Sequence, residues 1–438
     1  MSAVAIRADC KPRRPAAVTT LSEAAVLRPN HRWKVLGIGV AANACFSATF
    51  SGIPATAVFL RSGYHLSNGE LGLALGLLGL GVALSELPWG LLTDRWGDRR
   101  VLLTGLGATA VWLLVMAALV VPSPTQIPGV ALLAAALLVT GLLGGSVNGS
   151  SGRSIMAWFG EGERGFAMSI RQTAVPLGGG LGALVLPLAS AHGFTAVFGL
   201  LAAASAVSTS LAWRWLHQPP AHDDAHSSSA AKPAGPAPLR NPAVWRIATA
   251  IGLLCFPQVA VLTFASVFLH DFAGMGTAVI SASLAAVQVG AMVMRVWSGR
   301  YTDRHRNRRS FLRLCSMLSV AAFTVLAALV LFSAQLLSGQ APMLSLAIVA
   351  MLVVAGICVS SWHGVAYTEL ATLAGASQAG TALGLANSLV FIAFFLVPIA
   401  IPGLLVLCSW AGVWLGAAIC ALIAWPIFLP PTGSRKSA

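Results

Sequence analysis

Hydrophobic positions in this chain gather into runs without a charge. Val35 to Leu60, Val101 to Val121 and Val130 to Gly152 contain no Asp, Glu, Lys or Arg, and each can cross about 30 Å of hydrocarbon as a helix. Longer uncharged stretches, Thr173 to Trp213, Leu314 to Thr368 and Leu370 to Ser434, are broken by turn residues such as Ala191-His192-Gly193 and Ser338-Gly339-Gln340-Ala341-Pro342. They read as pairs of spans. The pattern predicts an all-α integral membrane protein with six helices before residue 217 and six after 243.

The polar segments then fix the organisation. Residues 218–242 are rich in Pro, Ala, Ser and His and read as a flexible cytoplasmic linker between bundles at 33–217 and 243–430. Residues 1–32 are basic and weakly hydrophobic, neither a signal peptide nor a span, and with 431–438 read as cytoplasmic tails. Composition agrees with a lipid-embedded bundle: 57% of residues are hydrophobic and 9% charged, with a mean hydropathy of +0.81.

A net charge of +14 would suggest nucleic acid in a soluble chain. Here 23 of the 27 Lys and Arg fall in or beside the segments on one side of the expected membrane, Arg61 alone falls in a loop on the other, and Arg153, Arg171 and Arg295 lie in or beside spans. This is the positive-inside distribution, which places both termini in the cytoplasm and argues against a nucleic-acid partner. The seven Cys have no zinc-binding or redox spacing, and no His-Glu-x-x-His, phosphate loop or nucleophile elbow occurs. No cofactor, metal or enzymatic activity is expected, and any energy would come from a gradient.

Gly90-Leu-Leu-Thr-Asp94-Arg95-Trp-Gly97-Asp-Arg99-Arg100 returns 209 residues later as Gly299-Arg-Tyr-Thr-Asp303-Arg304-His-Arg306-Asn-Arg308-Arg309, each copy between two spans. The first copy matches fully the G-x-x-x-D-R-x-G-x-R-R pattern of the major facilitator superfamily; the second has Arg306 in place of the central glycine. The chain therefore resembles that superfamily of secondary transporters over both halves. The resemblance implies twelve helices in two pseudo-symmetric six-helix bundles, alternating access, and a conformational gate formed by Gly90, Asp94, Arg95, Gly97, Arg99, Arg100, Gly299, Asp303, Arg304 and Arg308. It puts Asp94 at the start of the eleventh helix near Gly380 and Asp303 at the start of the fifth. The stretch Trp158 to Gly180 resembles bacterial permeases of the superfamily, which implies a monomer in the cytoplasmic (inner) membrane of a bacterium. The glycine-proline motif of drug/proton antiporters is incomplete, because Val175 precedes Pro176.

Alignment of the halves exposes candidate chemistry. Four residues before the signatures stand Glu86 and Arg295, opposite charges at equivalent positions within spans; such charges need a partner or water. Ser146, Ser150 and Arg153 share a helix face expected to line the cavity, and His363 aligns with Arg153. Arg171-Gln172 aligns with Ala386-Asn387. Three cations against one intramembrane carboxylate suggest a small organic anion, of the carboxylate type, held by Arg171 and Arg295 across the halves, with Arg153, Gln172, Asn387 and His363 contributing. A guanidinium fork suits such a ligand. Glu86 or His363 would couple a proton, or a counter-anion would exchange. Arg153 serves equally well in the gate. The alternatives are a proton-coupled exporter of drugs or secreted metabolites, with an apolar chamber lined by Trp112, Phe264, Trp362 and Phe391, and a transporter-like sensor or membrane enzyme.

Overall fold

The computed structural model describes residues 30–123, 125–217, 237–335 and 342–429. Most of the expected N-terminal tail and linker, the Ser338–Gly339–Gln340–Ala341 turn and the C-terminal tail lie outside them. Among the described residues there are helices and no strand. Eleven are long and apolar enough to cross a membrane.

We number the spans α1 (His31–Ala55, continued by Ala57–Gly63), α2 (Asn68–Trp96), α3 (Asp98–Leu119), α4 (Val130–Gly144 and Ser146–Trp158), α5 (Arg164–Ser190) and α6 (Phe194–Trp215). The second half supplies α7 (Pro242–Val267), α8 (Thr277–His305), α9 (Arg308–Gln335) and α10 (Pro342–Ser360 and His363–Ala374). The last helical stretch, Ala379–Ile427, is 49 residues long. At 1.5 Å per residue that is roughly 74 Å, more than twice the hydrocarbon thickness. It is broken at Ser409, whose φ of 59° no helix tolerates, into α11 (379–408) and α12 (410–427). Twelve spans result, as the charge-free runs predict.

Local chemistry explains several ends. Ser67 and Glu70 form a reciprocal capping box that opens α2. α2 and α3 are separated only by Gly97, at φ 86° and ψ 152°, a region open to glycine and almost nothing else. The equivalent residue in the second half, Arg306, takes a milder left-handed conformation, φ 50° and ψ 36°, which an L side chain enters at a cost of about 1–2 kcal/mol. The second turn therefore has a different shape, and the missing glycine is its cause.

Within the first half α1 packs on α5, and within the second α7 packs on α11. The halves meet along α2 with α11 and α5 with α8. Side chains such as Val406 (87% exposed) and Leu407 (80%) point outward, as a lipid-facing surface requires. The backbones of α2 and α11 touch because glycines face each other: a Cβ on Gly90 would strike the Gly380 carbonyl oxygen, and one on Gly384 the Glu86 carbonyl oxygen. This crossing brings the signature of one half against the helix start of the other.

Candidate functional site

The first turn of a helix leaves backbone N–H groups without intrahelical partners, and these attract anions. Both signatures use this across the halves. Asp94 on α2 accepts the N–H groups of Gly380 (2.9 Å) and Thr381 (2.7 Å) at the start of α11. Asp303 on α8 accepts those of Gly165 (3.1 Å) and Phe166 (2.8 Å) at the start of α5. The two halves are thus joined at the face that carries both signatures.

The cations around the two carboxylates differ. Arg153 from α4 lies 3.5 Å from Asp94 and 3.3 Å from Asp98, and Ser154 also donates to Asp98. In the second half Arg308 donates to Asp303 at 3.0 Å and to the Glu161 carbonyl at 3.0 Å, while Arg309 pairs with Glu369 at 2.6 Å. Arg99 caps the end of α6 through the Trp213 carbonyl. Arg95, Arg100 and Arg304 are exposed on the same face.

Deeper in, the structure brings together Glu86, Arg171, Arg295, Gln172, Asn387 and His363. Glu86 is completely buried. Asn148 from its own half donates to Oε1 and Asn387 from the other half to Oε2, the latter at 3.3 Å. Tyr367 donates to Oδ1 of Asn387 at 2.7 Å, so one chain of hydrogen bonds runs from α4 through Glu86 and α11 to α10. Arg171, 1% exposed, donates through Nη1 to Ser151 Oγ (3.0 Å), which also accepts from Asn43 (3.1 Å). Arg171 is within electrostatic reach of Glu86 and Tyr367.

Arg295 is 3% exposed and holds two backbone carbonyls. Nη1 donates to Gln172 O on α5 at 2.9 Å, and Nε to Ser360 O on α10 at 3.0 Å. Both carbonyls lack their usual helical donor. The residue four after Gln172 is Pro176, which has no N–H, and α10 is interrupted directly after Ser360. Such orphaned carbonyls inside a bilayer require a donor. The Nδ1–H of His363 reaches the same Ser360 oxygen at 3.2 Å, and its ring stacks on Trp362 at 3.8 Å. The Nη2 groups of Arg171 and Arg295 donate to no acceptor among the described residues.

Several expectations change at this scale. Arg153 sits with Asp94 and Asp98, not with Arg171 and Arg295. The expected cavity stripe of α4 is displaced: Ser146 presses on Gly105 of α3, inside the first half, and the residues facing Glu86 and Arg171 are Asn148 and Ser151. Arg153, the charged end of the run, lies on a different side of the helix from Asn148 and Ser151. Trp112 donates to the Ala136 carbonyl between α3 and α4, and Trp362 is wholly buried. Asn148 and Ser151 were missed because a neutral polar residue in a span looks like a packing residue. The carbonyl of Gln172 had a signal in the sequence, the proline four positions later.

A sequence family described as Major Facilitator Superfamily matches residues 39–339. The chain is 26% identical over 411 residues to an uncharacterized MFS-type transporter of Mycobacterium tuberculosis, Rv2994, covering 91% of this chain and 86% of that protein. Over 209 residues it is 26% identical to the uncharacterized transporter YybO of Bacillus subtilis, 47% of this chain and 46% of YybO. Among solved structures the proton:xylose symporter XylE superposes with a TM-score of 0.69 at 15% identity, covering 91% of this chain and 95% of XylE. FucP in an outward conformation gives 0.65 at 14%, covering 90% and 97%. The human organic anion transporter MFSD10 gives 0.64 at 16%, covering 91% and 99%. At these identities the three structures share the fold.

Proposed function

The chain belongs to the major facilitator superfamily, and from that premise we propose that it carries a small organic anion of the carboxylate type by alternating access, coupled to a proton. The observation that supports this reading is the pair of buried guanidinium groups, Arg171 from the first half and Arg295 from the second, both within electrostatic reach of Tyr367. Each has an Nη2 with no acceptor among the described residues. Glu86, within electrostatic reach of Arg171 alone of the two, is already engaged by two amides. Uncompensated charge in a span is expensive, and an anion bridging the two forks offsets it.

Arg153 belongs to the gate in this reading, with the signature carboxylates, and the signature face is the cytoplasmic one. The joined state would then be open to the outside or occluded. Protonation of Glu86 at Oε2 weakens the bond from Asn387, because the charge that assists it is lost and the new O–H takes up part of that oxygen's capacity to accept. Proton loading thus loosens a bond between the halves. His363 is committed to Ser360 and Trp362, which suits a positioning role, so Glu86 is the proton site we favour.

The reading is tested by the thermal midpoint of the purified protein against carboxylates, phosphorylated metabolites, lipophilic cations and antibiotics, since a ligand that prefers the folded state raises it. Carboxylates should raise the midpoint, and Arg295→Gln or Arg171→Gln should remove the effect while the protein still inserts. Stabilisation by lipophilic compounds alone would favour an exporter, whose apolar contacts the aromatic cluster of Phe46, Phe50, Phe391 and Phe394 would supply.

A further inference from the structure

Arg295 performs a task that anion binding alone does not require. Its guanidinium is stretched between two carbonyls on different elements, Gln172 O of α5 in the first half and Ser360 O of α10 in the second. Each carbonyl is available because a regular helix is locally defeated, by Pro176 in one case and by the break after Ser360 in the other. The α5 bond crosses the interface between the halves about two turns from the start of α5, where Asp303 holds Gly165 and Phe166.

We propose that Pro176 makes the Gln172 carbonyl a resting acceptor for Arg295, so that the two form a latch between α5 and α8 that a bound anion releases by taking the guanidinium for itself. The ligand half of this statement rests on the anion reading above; the latch does not. The physical basis is a competition between acceptors. A neutral carbonyl with one lone pair unsatisfied holds a guanidinium well enough to pin α5 to α8. A carboxylate offers two oxygens in the geometry of the fork and a full opposite charge, so it is the stronger partner. An empty carrier therefore keeps its halves pinned, and a loaded one does not. The latch also explains how Arg295 rests without its ligand: the two orphan carbonyls occupy Nε and Nη1 and gain a donor each, while Nη2 and the positive charge are left for the anion.

Reporters of the latch are built into the chain. The Gly165 and Phe166 N–H groups lie in the first turn of α5 and are protected by Asp303 of the other half, so their hydrogen exchange reads the separation of α5 from α8. In the purified full-length protein without added anion, Pro176→Ala returns an N–H to the Gln172 carbonyl, which then competes with Arg295. Exchange in the segment 163–168 should rise roughly tenfold, the scale of one charge-assisted hydrogen bond. Arg295→Gln should give a similar rise, and the double variant no more than either alone, because both remove the same bond. Should Pro176→Ala not fold, Arg295→Lys carries the test, since one ammonium cannot span both carbonyls, and faster exchange is again expected.

Lactate, succinate and inorganic phosphate are then added in turn to the wild type. At least one should accelerate exchange in the same segment, with no further effect on Arg295→Gln. Unchanged exchange in folded Pro176→Ala, or additive effects in the double variant, would overturn the latch whatever the anions do. A clear Pro176→Ala effect with no response to any anion would leave the latch standing and overturn the anion as its key.

Discussion

A carboxylate at the start of a helix from the opposite half both accepts free N–H groups and faces the positive end of the helix dipole. Asp94 adds a third interaction, the Arg153 guanidinium at 3.5 Å. Asp94→Asn keeps one acceptor oxygen and turns an NH2 toward an N–H, so the joined state should lose roughly 1–2 kcal/mol. Hydrogen exchange of the Gly380–Thr381 segment should accelerate about tenfold, and cycling of any substrate should slow. Arg153 contributes through Asp94 and Asp98, so Arg153→Gln should accelerate that exchange less in the Asp94→Asn background than in the wild type. Strictly additive effects would mean that Arg153 acts elsewhere.

Between elements, the two signature turns show how one residue changes a connection. Gly97 occupies a conformation closed to other residues, so Gly97→Ala should cost roughly 1–3 kcal/mol and lower the thermal midpoint. Arg306→Gly, at the equivalent position with φ 50°, relieves strain and should leave the midpoint unchanged or slightly raised; a drop as large as that of Gly97→Ala would show that the Arg306 side chain itself holds the turn. The contrast also marks what the sequence makes legible. The duplicated motif carries its own alignment, and its resemblance to the superfamily pattern implies the meetings of Asp94 with the start of α11 near Gly380 and of Asp303 with the start of α5. The twelve spans follow from charge-free length. The facing of α4 does not follow, because its helix restarts after Gly145 and the polar residues are dense enough to fit more than one phase. Arg295 could be singled out as a buried charge, but its partners are main-chain atoms, and of these only the Gln172 carbonyl is marked in the sequence, by Pro176 four positions later.

Across the whole molecule the equivalent positions 86 and 295 tie the halves together with opposite polarity. In one, an acceptor on α2 receives a donor from Asn387 of α11; in the other, a donor on α8 reaches the carbonyl of Gln172 on α5. Asn387 and Gln172 are themselves equivalent in the alignment of the halves. In the proposed reading an anion addresses the second tie and a proton the first, so opening the joined face would need both and the two would move together. Glu86→Gln neither takes up nor releases a proton, and it still offers an oxygen to Asn148. In proteoliposomes its uptake should no longer respond to an imposed proton gradient, while exchange of labelled for unlabelled anion across the membrane continues, because exchange needs no net proton movement. Gradient-driven accumulation by Glu86→Gln at the wild-type level would remove Glu86 from the coupling path and leave the carrier working as an anion exchanger or through another proton site.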